Sequence, residues 1–449
     1  METPASQPAV APTRVRFGIM VMLFVVVVIN YLDRSNLSIA GPMLAQDLHL
    51  DPARMGWLFS AFGWTYAFCQ IPGGWAVDRV KPRFLYAALL IGWSLATFSL
   101  GFAGSIAVLI ALRFAIGALE APSFPINNRV VTTWFPERER ATAISFYTSG
   151  QFVGIAFLTP VLSYLQATFS WEVVFMVTGG VGVVWGVAWF YLYRQPGEHR
   201  RVNQAEIEQI RAGGGLVDLD ARGGKARVPL QWADLRLVLG SRKLWAVYIG
   251  QFCLTSAQWF FLTWFMTYLV QYRGLGYVRA GFFAMVPFFA AFCGVLTGGV
   301  LSDWLVRSGM SVGVARRIPI VGGLLLSMLI MGANYVQSPV LVIAFLAIAF
   351  FGNGFASITW VLVSSIAPAR LIGLSGGCFN FFGNLSAFTV PMVIGYLVNG
   401  SDFSPALSFI AALALIGALS YIFLLGKVER LPDRPIEEVA VVDGTKLPA

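Results

Sequence analysis

Four charged side chains stand where the surrounding residues are almost wholly apolar. Asp33 and Arg34 are adjacent within VVVVINYLDRSNLSIA, residues 25–40, and Arg113 and Glu120 lie seven residues apart in a second apolar run. An ionised residue at the centre of a bilayer costs roughly 3 kcal/mol on insertion scales, so such residues pair with one another or face a wet pathway. Seven residues fall about 20° short of two full helical turns, which puts Arg113 and Glu120 on one stripe and predicts that an ionised Glu120 pairs with Arg113. A neutral cluster of four charges could serve only to fix helix register. Buried ion pairs stabilise poorly, however, so a charged path for something that crosses the membrane fits these residues better. Both histidines, His49 and His199, fall in predicted loops, leaving Asp33 and Glu120 as the candidate intramembrane proton carriers. Burial favours the neutral acid and a neighbouring guanidinium favours the carboxylate, so an arriving anion can switch the protonation state.

Composition identifies the elements that hold these residues. With 57% hydrophobic and 12% charged residues, the 449-residue chain reads as an all-α integral membrane protein. Apolar runs of membrane-crossing length are predicted at 17–45, 55–77, 84–103, 106–127, 142–168, 171–194, 243–271, 278–304, 317–336, 339–366, 371–397 and 403–426. The first run follows Arg14 and Arg16 but is too long for a signal-peptide core, so it is read as the first helix. If the N-terminus is cytoplasmic, 26 of the 31 Lys and Arg residues fall on the inner side and three, Arg54, Arg273 and Arg279, on the outer. Both termini are therefore expected in the cytoplasm, and the +9 net charge reflects topology rather than nucleic-acid binding.

The two parts of the chain repeat. GGWAVDR at 73–79 and GGVLSDW at 298–304 place Asp78 and Asp303 225 residues apart, half the chain length. The expected organisation is a tail at 1–16, a six-helix bundle at 17–194, a linker at 195–242, a second six-helix bundle at 243–426 and a tail at 427–449. RAGGGLVDLDARGGKAR in the linker lacks the Gly-Lys-Ser/Thr of a phosphate loop, and no nucleotide motif supplies an ATP-driven step.

Gly74-x-x-x-Asp78-Arg79 with the basic residues after it resembles the signature loop of the major facilitator superfamily, and Gly299-x-x-x-Asp303 with Arg307 resembles its second copy. Lys81 stands where a glycine is usual and Trp304 where the second arginine is usual. YLDRSNLSIA, FSAFGWTYAFCQIPGGW, EAPSFPINNRVVTTWFPERERATA, YTSGQFVGIAFLTP and FFGNGFASITW together resemble the anion:cation symporters of that superfamily. The resemblance implies a major facilitator fold of 12 helices in two six-helix halves. It also implies a bacterial inner-membrane location and import of a sugar acid, D-galactonate or a related hexonate, with protons.

Polar stripes supply candidate substrate contacts: Tyr147, Gln151 and Gly154 on the fifth helix, Asn353, Ser357, Trp360 and Ser364 on the tenth, Asn380 and Asn384 on the eleventh. Inter-helix hydrogen bonding would use the same residues. The resemblance selects Tyr31, Arg34, Tyr66, Gln151, Ser357, Trp360 and Asn380 as substrate-binding, with Arg34 taking the carboxylate, and keeps Asp33, Glu120 and Arg113 for proton coupling. A planar guanidinium suits a carboxylate bidentately. Cys69, Cys253, Cys293 and Cys378 are isolated and read as small buried hydrophobes, GQFVG at 150–154 as a helix-packing motif, and PERERATA at 136–143 as a solvated loop. No catalytic residue, metal or cofactor is expected, and the partners are the anion, protons and lipid, with a monomer as the assembly. A hexuronate or aldarate symporter, a sodium-coupled organic-anion carrier and a non-transporting sensor remain as alternatives, the sensor least favoured because no signalling domain is attached.

Overall fold

The computed structural model describes residues 11–217, 232–368, 371–398 and 400–432. Much of the glycine-rich linker stretch thus lies outside the described residues. Two sets of six helical rods make up most of the described residues. The first set comprises α1 (Val15–Asp47), α2 (Pro52–Phe68, continued by Gln70–Arg79), α3 (Pro82–Leu100), α4 (Ile106–Glu120, continued by Ser123–Trp134), α5 (Glu137–Thr168) and α6 (Trp171–Leu192). The second comprises α7 (Arg242–Thr263, extended to Tyr272), α8 (Tyr277–Arg307), α9 (Val312–Ser327, extended to Tyr335), α10 (Pro339–Phe355, continued to Ile366), α11 (Ile372–Leu397) and α12 (Ser404–Leu419, extended to Leu424). Nine of the described helices are long and apolar enough to cross a membrane by length and composition. α2, α5 and α7 are not among the nine, and all three pack where the two sets meet.

Local sequence sets the breaks. Pro122 interrupts α4 immediately after Glu120, because its ring and missing N–H are incompatible with an uninterrupted helix. α5 begins five residues earlier than the predicted run. PERERATA is therefore helix rather than loop: Pro136 caps the start, acidic residues suit a helix N-terminus, and Arg140 donates to the carbonyls of Phe135 and Gly214. Gly150 and Gly154 of α5 sit against Phe24 and Val28 of α1, as the small-residue spacing predicts. In the repeated motif the first glycine of each pair is the packed one, Gly73 against Pro122 and Gly298 against the Phe355 carbonyl, while Gly74 and Gly299 face open space. Asp303 pairs with Arg316 at 2.7 Å.

The two sets join through α2 with α11 and α5 with α8. Gly56 and Gly63 of α2 let its backbone approach Gly395 and Ala387 of α11, where any side chain would collide with main chain. Trp57 Nε1 donates to Tyr396 Oη at 2.9 Å and Gln271 Nε2 to the Pro42 carbonyl at 3.1 Å at the same end. One apolar core runs through the first set and into the second at this end, whereas the opposite end of the second set has a separate core around Val247, Leu324, Leu362 and Tyr421. The molecule is thus closed between its halves at one end and parted at the other, the end where α1 begins.

A short helix, Gln204–Ala212, is fastened to that parted end. The fully buried Glu206 carboxylate accepts from Thr13 Oγ1 at 2.6 Å, from the backbone N–H groups of Val15 and Arg16 at 3.2 Å each, and from Arg16 Nη1 at 3.1 Å. It satisfies the open N–H groups that begin α1, and Arg16 Nε also reaches Glu139 of α5 at 2.9 Å. Glu206→Ala should therefore lower the stability of the detergent-solubilised protein by about 2 kcal/mol, seen as a lower midpoint of thermal unfolding. Arg54→Ala, which removes an exposed pair with Asp51, should leave that midpoint in place.

Candidate functional site

Between the halves lies a cavity of about 640 Å³ that opens toward the parted end. Tyr31 and Arg34 of α1, Tyr66 and Gln70 of α2, Asn128 of α4, and Tyr147 and Thr148 of α5 form the wall of the first half. Gln251, Thr255, Gln258 and Trp259 of α7, Trp360 of α10, and Asn380 and Asn384 of α11 form the other. Among the described lining residues Arg34 alone is charged.

Arg34 is 5% exposed and tightly held. Its Nε donates to Glu120 Oε1 at 2.7 Å and its Nη2 lies 2.6 Å from the same oxygen. Glu120 Oε2 is buried with no partner at ordinary hydrogen-bond geometry, although Asn30 stands beside the carboxyl. Three rings surround the guanidinium carbon, Tyr31 at 4.8 Å, Phe62 at 5.3 Å and Tyr66 at 4.7 Å from their centroids. These faces stabilise the cation while leaving its N–H edges for an anion. Arg113 lies 5.1 Å from the same Phe62 ring.

Glu120 therefore pairs with Arg34, across helices, and not with Arg113. The break at Pro122 places Glu120 at the last turn of its segment, facing α1, while Arg113 two turns away donates to the Asp33 backbone carbonyl at 3.4 Å. Asp33 turns away from the cavity into the first half. Its Oδ1 accepts from Asn36 Nδ2 at 3.4 Å, the Trp93 indole stands beside the carboxyl, and the side chain forms no ion pair among the described residues. Adjacent residues of α1 thus point an arginine at the cavity and a carboxyl at the protein interior.

Five of the seven substrate residues expected from sequence line the cavity: Tyr31, Arg34, Tyr66, Trp360 and Asn380. Gln151 lies one turn beyond Tyr147 on α5 and Ser357 in the 3-10 turn that precedes Trp360, both half-buried and outside the lining. Sequence reading missed Gln251, Thr255 and Gln258, although their i, i+4, i+7 spacing is the same stripe signal that marked α10. Thr359 Oγ1 donates to Gln251 Oε1 at 3.0 Å, and Thr255 Oγ1 to the Gly383 carbonyl at 2.9 Å, so this stripe is held from α10 and α11. Phe62 gave no signal, since a phenylalanine is ordinary in a membrane helix. Asn353 donates to the Leu254 carbonyl at 2.6 Å, a helix-packing role.

The arrangement can bind one anionic group at Arg34 and hydroxyl groups along the amide-rich opposite wall. The Major Facilitator Superfamily model matches residues 23–391. The chain is 54% identical over 432 residues to a D-galactonate transporter of Escherichia coli, covering 96% of this chain and 100% of the relative. It is 43% identical over 433 residues to a probable galactarate/D-glucarate transporter of Escherichia coli, covering 94% and 96%. Among solved structures, the inward-open xylose transporter XylE of Escherichia coli superposes with a TM-score of 0.69 at 15% identity, over 92% of this chain and 98% of that one. An inward-facing bacterial homologue of the lysosomal transporter Spinster gives 0.67 at 17%, over 91% and 95%. With its paired helical sets and the cavity between them, the chain belongs to the major facilitator superfamily, a multi-pass membrane transporter and not an enzyme.

Proposed function

We propose that this chain imports a sugar acid, D-galactonate or a related hexonate, together with protons, across a bacterial inner membrane with both termini in the cytoplasm. One observation carries the reading: the one cation lining the cavity is already occupied by an internal carboxylate, Glu120. A substrate carboxylate needs the same N–H edges, so the two anions compete for Arg34. Protonation of Glu120 removes its charge and frees the guanidinium, and the entering carboxylate replaces it as the bidentate partner. Substrate binding and proton binding thereby favour one another, as coupled transport requires. The parted end of the molecule corresponds to the cytoplasmic side in this reading, and rocking of the halves would close it and part the end now sealed by α2 with α11 and α5 with α8.

The lining also bears on substrate class. A monoanion is neutralised by Arg34, whereas the second carboxylate of an aldarate would face only amides, hydroxyls and rings. This favours a hexonate over the galactarate and D-glucarate in the name of the 43%-identical relative.

Proteoliposome uptake with and without an imposed pH gradient tests the reading. Galactarate should compete with labelled D-galactonate at least about tenfold more weakly than D-galactonate itself, the effect of roughly 1.4 kcal/mol, and equal competition would rule out the monoanion argument. Arg34→Lys keeps the charge and loses the fork, so substrate affinity should fall roughly 10- to 100-fold, with the thermal midpoint little changed. Wild-type affinity would remove Arg34 from the carboxylate contact. Glu120→Gln mimics the protonated acid, and should bind substrate and catalyse counterflow yet fail to accumulate it when a pH gradient is imposed. Accumulation at the wild-type level would show that Glu120 is not an essential proton carrier.

A further inference from the structure

The ion pair raises a problem of access. In the arrangement proposed above, a bound sugar acid covers Arg34 from the cavity side, and Glu120 is fully buried behind it. A proton on Glu120 would then have no way out except past the substrate. The first half contains a row of buried polar side chains that the substrate site does not use. Asn30, one turn from Arg34 toward the start of α1, lies beside Glu120, and its Nδ2 is 3.5 Å from Ser123 Oγ. Ser123, the first residue of α4 beyond the Pro122 break, lies beside Tyr86 of α3, whose Oη donates to Asn127 Oδ1 at 2.8 Å. Asn30, Ser123, Asn127 and Tyr86 are all fully buried. The next residue of α4, Asn128, accepts through Oδ1 from Tyr147 Oη at 3.1 Å, and both Tyr147 and Asn128 line the cavity.

Several atoms in this row lack a partner: Glu120 Oε2, Asn30 Oδ1 and Asn127 Nδ2. Buried polar atoms without a partner are uncommon and costly, and a mixed set of donors and acceptors at adjacent positions is what ordered water satisfies. A cation site would not include the Asn127 amide N–H group. From Glu120 to Asn127 the row descends seven residues of α4, about 10 Å along a helix axis.

We propose that Ser123, Tyr86 and Tyr147, bridged by water that Asn30 and Asn127 hold, form a proton relay from Glu120 to the inner mouth of the cavity, bypassing the bound sugar acid. The O–H bond of protonated Glu120 breaks as its proton passes to the first bridging water. Each water or hydroxyl along the row accepts one proton and releases another, and the last proton goes to solvent water beside Tyr147. One proton leaves Glu120, one reaches bulk water, and every relay group ends as it began. The charged groups facing Glu120 are Arg34, Arg113 and Asp33, and the proton's departure restores the Arg34–Glu120 pair that displaces the substrate. The inference rests on the proton-coupled reading.

The test uses full-length carrier in proteoliposomes loaded with a pH-sensitive dye, with an inward D-galactonate gradient to drive proton entry and counterflow of labelled D-galactonate to report binding and exchange. Tyr86→Phe and Ser123→Ala each remove a single hydroxyl. Both should keep counterflow within about twofold of wild type and slow substrate-driven proton entry roughly tenfold or more, as loss of a proton-transfer group does. Wild-type proton entry in both variants would overturn the relay, and parallel loss of counterflow and proton entry would overturn it too, assigning the hydroxyls to packing. Glu120→Gln separates this from the underlying reading. If that variant admits no protons while Tyr86→Phe and Ser123→Ala behave as wild type, the relay fails and coupling through Glu120 stands. If Glu120→Gln admits protons as wild type does, the coupling itself fails.

Discussion

Burying a guanidinium at the face of a cavity is costly without a counter-charge, and in this protein the pair of Arg34 and Glu120 meets that cost and organises the first half. Meeting it takes two helices and a break: α1 brings the arginine, α4 brings the acid, and Pro122 ends the upper segment of α4 so that Glu120 falls at its last turn. The aromatic faces of Tyr31, Phe62 and Tyr66 fill the space a hydration shell would otherwise occupy. Whatever takes the arginine from Glu120 must come from the cavity and must carry its own negative charge.

The two halves make unequal contributions to the site. The first holds every charged group of the cluster, and the second presents a wall of amides, hydroxyls and indoles supported from α10 and α11. The separation matters if the halves rock as proposed. Electrostatic adjustment stays inside one bundle, where helices keep their neighbours, and only neutral hydrogen bonds have to form and break across the moving boundary. Breaking neutral hydrogen bonds to a wetted cavity costs little, since water replaces each of them.

What could be read from the residues alone followed the reach of periodicity. The apolar runs, the repeat of Asp78 in Asp303 and the stripe of Gly150 and Gly154 are all local patterns, and the fold class came from them. The partner of Glu120 did not, because Arg34 is 86 residues away and a helical wheel can propose only Arg113, on the same helix. Asp33 was correctly singled out as buried, yet nothing in the run of residues could tell that it turns from the cavity while its neighbour faces it. The α7 stripe was within reach of the same pattern that marked α10. PERERATA reads as a loop because its charge density suggests solvent, whereas Glu139 in this stretch answers the basic Arg16 at the start of α1.

The attachment of Glu206 to the beginning of α1 has a mechanical meaning. Four contacts to one carboxylate hold the first turn of α1 to the linker helix, and Arg16 ties the same turn to α5 through Glu139. A helix pinned at one end cannot deliver a push along its axis. When the partner of Arg34 changes, nineteen residues further up the rod from Val15, the displacement available to α1 is a swing about that pinned turn, with its largest arc at the far end, where Gly41 and Pro42 meet α7. On the proposed exchange of partners at Arg34, the fixed turn in the linker is the fulcrum and the seal between the halves is the end free to swing.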